Sequence, residues 1–187
     1  FFRDGKPLVV RLFDVAQDKR PRFLTEGPWD IPEVMSHLTG ARFYLSPDPR
    51  YRDFREFGKK QLRAIFAAHF RKREEHLEFP SRISGLKILF SDIREAGEIS
   101  AIEELIGEAK QEFIAGILQD PELQASLSVE VDKISGAIDQ IPIGYMFEHT
   151  KTVEKAESVF SEIEKVRSGK PVVRFVGIGT NDLTKSI

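Results

Sequence analysis

The sequence predicts an α/β fold built on a parallel sheet. Three observations carry that prediction. Short runs rich in Val, Ile and Phe alternate with longer stretches whose apolar residues recur at helical spacing. The short runs are apolar almost throughout, as in strands covered on both faces. Gly and Pro fall between the two kinds of segment, where the chain has to turn. Strand and helix alternating in this way argue for parallel strands joined by crossover helices.

The elements follow in order. Leu8-Val-Val-Arg-Leu-Phe-Asp14 is the first strand, with Arg11 inside it and Asp14 closing it. A polar, basic loop follows, then the irregular Pro28-Trp-Asp-Ile-Pro32. Residues 33–45 predict a short helix with Gly40-Ala-Arg42 near its end or at a kink. Ser46-Pro-Asp-Pro49 is a turn and helix entry, since Pro suits a first helical turn. Residues 50–73 predict a long helix with Phe54, Phe57, Leu62, Ile65, Phe66 and Phe70 on its apolar side.

Pro80 and Gly85 precede a second strand over residues 86–90, closed by Ser91-Asp92. Residues 98–119 predict a helix whose stripe is Ile102, Leu105, Ile106, Ala109, Phe113 and Ile117, stopped by Asp120-Pro121. Residues 122–139 are partly helical by their spacing. Residues 141–147 form a third strand closed by Glu148, residues 152–167 a helix, and residues 172–178 a fourth strand. The stretch Gly177-Ile-Gly-Thr-Asn-Asp-Leu-Thr184 then supplies a hydroxyl, an amide and a carboxylate beyond that strand. Taken alone, it reads as an ordinary turn.

Composition bounds the partners. A length of 187 residues suggests one domain, and 41% hydrophobic with 31% charged residues fits a soluble globular protein. The formal net charge of −2 gives no reason to expect nucleic acid or membrane as a partner. Residues 1–80 hold 16 Lys and Arg against 12 Asp and Glu, whereas residues 81–187 hold 12 against 18. The absence of Cys excludes thiolate chemistry and disulfides within the chain and suits a cytoplasmic setting. No apolar run approaches the roughly 18 residues of a membrane span.

In a parallel sheet the carboxyl ends of the strands share one face. There the sequence places Asp14, Ser91 and Asp92, Glu148, and Asn181 with Asp182. Such a ring of oxygen donors suits Mg²⁺, which keeps several waters and completes its shell with phosphate oxygens. Arg11, inside a strand, is expected to be buried and to need either an internal carboxylate such as Asp14 or an anionic ligand.

These residues also carry a family resemblance. The stretch Val10-Arg-Leu-Phe-Asp-Val-Ala-Gln-Asp-Lys19 resembles the Arg-Thr-Leu-Asp-Ile-Gly-Gly-Asp-Lys motif of Enzyme I, the phosphoenolpyruvate–protein phosphotransferase. Gly40-Ala-Arg42 is similar to its Gly-Trp-Arg, and Gln61-Leu-Arg-Ala-Ile65 to its Gln-Leu-Arg-Ala-Ile. Residues 86–93 resemble the strand bearing Met-Phe-Pro-Met-Ile. Ile143-Gly-Tyr-Met-Phe-Glu148 and Gly177-Ile-Gly-Thr-Asn-Asp-Leu-Thr184 resemble the two remaining motifs, in family order.

The resemblance implies a (β/α)₈ TIM-type barrel, of which about four of the eight strand–helix units lie in this chain. It implies phosphoenolpyruvate as substrate and Mg²⁺ as cofactor. Arg11, Arg42 and Asn181 would bind substrate, Asn181 in the catalytic position, and Glu148 and Asp182 would hold the metal. The phosphoryl group would pass to a histidine on another domain, and the family's barrel usually forms a homodimer. Arg63 would be structural, and His37, His69, His76 and His149 match no motif. Earlier strands would precede Phe1 and later ones follow Ile187, so four strands alone would be marginal or pair with another half. The chain departs from the family at Ala16-Gln17, Ser91-Asp92 and His149-Thr150, which points to the alternative of a non-catalytic regulatory or interaction module.

Overall fold

The computed structural model describes residues 8–12, 40–45, 52–71, 85–168 and 176–178. Four strands form one sheet in the order β1-β2-β3-β4: β1 (Val9–Arg11), β2 (Lys87–Phe90), β3 (Ile143–Phe147) and β4 (Val176–Ile178). Every neighbouring pair is parallel. The predicted α/β class with a parallel sheet is therefore present, and the strand order follows the chain without a reversal.

The helices are α1 (Arg42–Leu45), α2 (Arg52–Phe70), α3 (Ala96–Gln119), α4 (Pro121–Ala125), α5 (Val131–Asp139), α6 (Thr150–Glu154) and α7 (Ala156–Val166). Gly40-Ala41 forms a turn directly before α1, and residues 33–39 of the helix expected over 33–45 lie outside the described residues. Helix α3 starts at Ala96, ahead of the expected residue 98. Glu98 is its third residue and reaches back to the N–H of Glu95 at 3.3 Å, which closes the first turn. Asp120 ends α3 and begins α4, its Oδ1 accepting from the N–H groups of Glu122 and Leu123 at 3.0 and 2.9 Å.

Alternation along the strands divides the sheet into two faces. Val10, Leu12, Ile88, Phe90, Ile143, Tyr145, Phe147 and Val176 join one apolar core with the helices. Ile99, Ile102, Leu105, Ile106, Ala109, Phe113 and Ile117 form the buried stripe of α3. This helix lies between α2 and α7 and also packs on α5. Gly58 of α2 makes room for Tyr44 of α1, whose ring atom Cδ1 lies 2.9 Å from where a Cβ would stand. The opposite face of the sheet carries Arg11, Leu89 and Gly144 in one paired row.

Polar contacts lock α3 to its neighbours. Arg55 grips Glu108 with Nη2–Oε1 at 2.6 Å and Nε–Oε2 at 3.2 Å. Lys59, itself buried, reaches Glu112 at 2.5 Å, and Arg63 reaches the same carboxylate at 2.6 Å. Arg63 thus has the structural role expected of it. On the other side, Arg167 Nη1 meets Glu103 Oε1 at 2.6 Å, and the Tyr145 hydroxyl approaches that oxygen at 3.4 Å. Burial, reinforced by the Glu103 charge, pushes the Tyr145 hydroxyl well above its ordinary pKa. None of the described helices is long and apolar enough to cross a membrane.

The Arg167–Glu103 pair is almost fully buried, at 4% and 11% side-chain exposure. Removing one partner leaves the other charge uncompensated, so Arg167→Ala is expected to lower unfolding free energy by about 3–5 kcal/mol in urea titration. Burial also holds the His69 imidazole below its ordinary value of 6.5. The unfolded chain takes that proton more readily, so stability present above that value is lost as pH falls through the folded one. Thermal melts between about pH 7 and pH 5 should fall for the wild type and fall less for His69→Gln.

Candidate functional site

The site forms where the Gly40-Ala41 turn meets the end of β2. The Ala41 N–H donates to the Ser91 carbonyl at 2.9 Å. Gly40 has φ +62°, and a Cβ there would stand 2.5 Å from both the Asp92 Cβ and the Ser91 carbonyl oxygen. Glycine alone permits that approach. Asp92 also has positive φ, +52°, a conformation that Asp tolerates better than most residues. Strained backbone of this kind persists only where surrounding contacts over-determine it.

Backbone bonds at Ser91 and Ile93 hold this loop, and charged side chains gather on it. Arg42, the first residue of α1, donates from Nη2 to Asp92 Oδ2 at 2.6 Å. Its Nη1 reaches the Asp92 carbonyl at 3.1 Å and Glu98 Oε1 at 3.3 Å. Arg94 closes on the same carboxylate from the other side, Nε to Oδ1 at 3.1 Å and Nη2 to Oδ2 at 2.9 Å. Glu98 Oε2 accepts from the Arg94 N–H at 2.7 Å. Among the described residues, two guanidiniums and two carboxylates thus meet at the carboxyl end of β2. Hydrogen bonds between ionised groups are each worth about 1.5–3 kcal/mol when shielded from water.

The loop after β2 is pinned to the neighbouring unit as well. The Ile93 N–H donates to the Met146 carbonyl at 3.0 Å, and the buried Thr152 hydroxyl donates to the Ile93 carbonyl at 2.6 Å. Glu148 follows β3 directly and is half-buried. The Arg42–Asp92 cluster and Glu148 therefore lie at the same end of the sheet, on adjoining strand ends.

Arg11 differs from its expectation of burial. It lies on the sheet face opposite the helices and is exposed, with Nη1 3.9 Å from Met146 Sδ. Its row partners Leu89 and Gly144 are buried, and Arg11 is exposed because β1 is an edge strand among the described residues. Asn181 and Asp182 lie outside the described residues, as do Asp14, Asp18 and Lys19. Among the described residues, no group of three or more His, Asp or Glu side chains is arranged to hold a metal.

Sequence reasoning passed over Arg94 and Glu98. Glu98 carried a usable signal, three residues after Glu95 at the start of an apolar periodicity. Glu is an uncommon N-cap residue, which hid it. Arg94 carried none, because only the turn at Asp92 brings its guanidinium back onto that carboxylate.

No protein-family model, curated protein or solved structure matches this chain.

The interlock makes a direct prediction. Gly40→Ala adds a Cβ against backbone and forces positive φ on alanine, so it should destabilise the chain by about 1–3 kcal/mol or more. Circular dichroism melts measure this. An unchanged melt would mean that the turn does not pack on Asp92.

Proposed function

We propose that this chain is the phosphoenolpyruvate-binding portion of a Mg²⁺-dependent phosphotransferase of the Enzyme I type. It would pass the phosphoryl group to a histidine on another domain. The observation that carries this reading is the strand order. Four parallel strands succeed one another in chain order, with α2, α3 and α7 ranged side by side along the sheet. A doubly wound sheet reverses its order at a switch point, whereas a (β/α)₈ barrel does not. The sheet is read as an arc of such a barrel, and its carboxyl end as the binding face.

On this reading, Arg11 and Arg42 clamp the substrate's anionic groups, and Asn181 contacts the reacting part of the substrate. Glu148 and Asp182 would hold Mg²⁺. The donor chemistry fits: Glu148 is a half-buried carboxylate directly after β3, and Asp182 follows β4, the strand paired to β3. Both offer the hard oxygens that Mg²⁺ prefers. The metal would neutralise charge on the phosphoryl oxygens during transfer. A homodimer in the cytoplasm is the assembly and setting this reading expects.

A second reading, a non-catalytic interaction module of the same fold, has one specific observation in its favour. The Arg42 guanidinium is already occupied by Asp92 and Glu98. Calorimetry of phosphoenolpyruvate with and without Mg²⁺ separates the two. The phosphotransferase reading expects metal-dependent binding that Asp182→Ala weakens by at least about tenfold. Binding indifferent to both metal and Asp182 would leave the interaction module as the better account.

A further inference from the structure

We infer that Asp92 is an internal competitor for the anion site, its carboxylate held in the arginine pair until a phosphorylated ligand displaces it. This rests on the proposal that Arg42 binds a substrate anion. Two guanidiniums from different segments converge on one oxygen, Asp92 Oδ2, from Arg42 at 2.6 Å and Arg94 at 2.9 Å. Paired guanidinium forks of this kind are the arrangement that recognises phosphate as well as carboxylate. Asp92 therefore occupies the position that an incoming phosphoryl group would need.

The surroundings favour exchange over a permanent bridge. Arg42 and Arg94 keep 21% and 36% side-chain exposure, so a solute can reach them, while Asp92 keeps 8%. Arg42 also stays aimed when the carboxylate leaves. Its Nη1 remains held by the Asp92 backbone carbonyl at 3.1 Å and by Glu98 at 3.3 Å. The side chain of Asp92 need only rotate out, since the loop itself is fixed by the Ser91 and Ile93 backbone bonds.

The competitor also sets selectivity. A carboxylate carries one negative charge, so a ligand bearing one carboxylate gains little by replacing it. A phosphoryl group brings up to two charges and three acceptor oxygens, and wins the exchange. The site should therefore accept a phosphorylated small acid and refuse the dephosphorylated product, such as pyruvate.

The test is calorimetry of the full chain with inorganic phosphate, phosphoenolpyruvate plus Mg²⁺, and pyruvate. Asp92→Asn and Asp92→Gly remove the charge in residues that accept positive φ, so neither adds backbone strain. Melts establish that each variant is folded. Both variants are expected to bind phosphate at least about tenfold more tightly than wild type and to gain measurable pyruvate binding. Adding Arg42→Ala should abolish both gains. If wild type binds phosphoenolpyruvate with Mg²⁺ but the variants bind phosphate no more tightly, Asp92 is no competitor and the phosphotransferase reading stands. If neither wild type nor variants bind any of the three, that reading falls and the inference with it.

Discussion

The structure depends on the burial of one face of α3. Its stripe of Ile99, Ile102, Leu105, Ile106, Ala109, Phe113 and Ile117 lies in the common core with the sheet and the flanking helices. Burying an Ile or Phe side chain contributes about 1.5–3 kcal/mol, so this stripe outweighs any single polar contact. The helix then turns its flanks to polar partners on three neighbours. Glu108 and Glu112 face α2, Lys110 pairs with Asp139 of α5 at 2.9 Å, and Ser100 donates to Glu162 of α7 at 2.5 Å. The apolar stripe supplies the energy, and the polar flanks fix how neighbouring helices sit around it.

The same helix organises the site through its first turn. Glu98 closes the N-terminus of α3 and also accepts from Arg42. One carboxylate thus couples helix initiation to the position of a guanidinium on α1. Asp92, two residues after β2, takes the other side of that guanidinium and draws Arg94 in. A change in this cluster therefore acts on the start of α3 and on the loop after β2 together, because the same atoms hold both. Ile93 extends the coupling to β3 and α6, and so to the segment that carries Glu148.

The buried Arg167–Glu103–Tyr145 group illustrates what linear reading misses. Its three members come from the end of α7, from α3 and from β3. Nothing near any of them in the chain marks it as paired. Their partnership exists because α7 packs beside α3 over the strand that bears Tyr145. Burial then makes the pairing obligatory, since a lone charge there would be strongly destabilising.

The sequence by itself determined the class of fold and the order of its elements. Apolar runs at 86–90 and 141–147 and helical stripes at 50–73 and 98–119 are local patterns, and local periodicity is enough to name an element. It also placed Ser91-Asp92 and Glu148 at one end of the sheet, because the parallel strands β2 and β3 end on the same side. Tertiary structure alone decided which of those residues meet. It turned Asp92 into positive φ against Gly40 and aimed Arg42 and Arg94 at one carboxylate. It left Arg11 exposed, on the strand at one edge of the described sheet. Such pairings depend on distances between segments far apart in the chain, and no pattern within either segment encodes them.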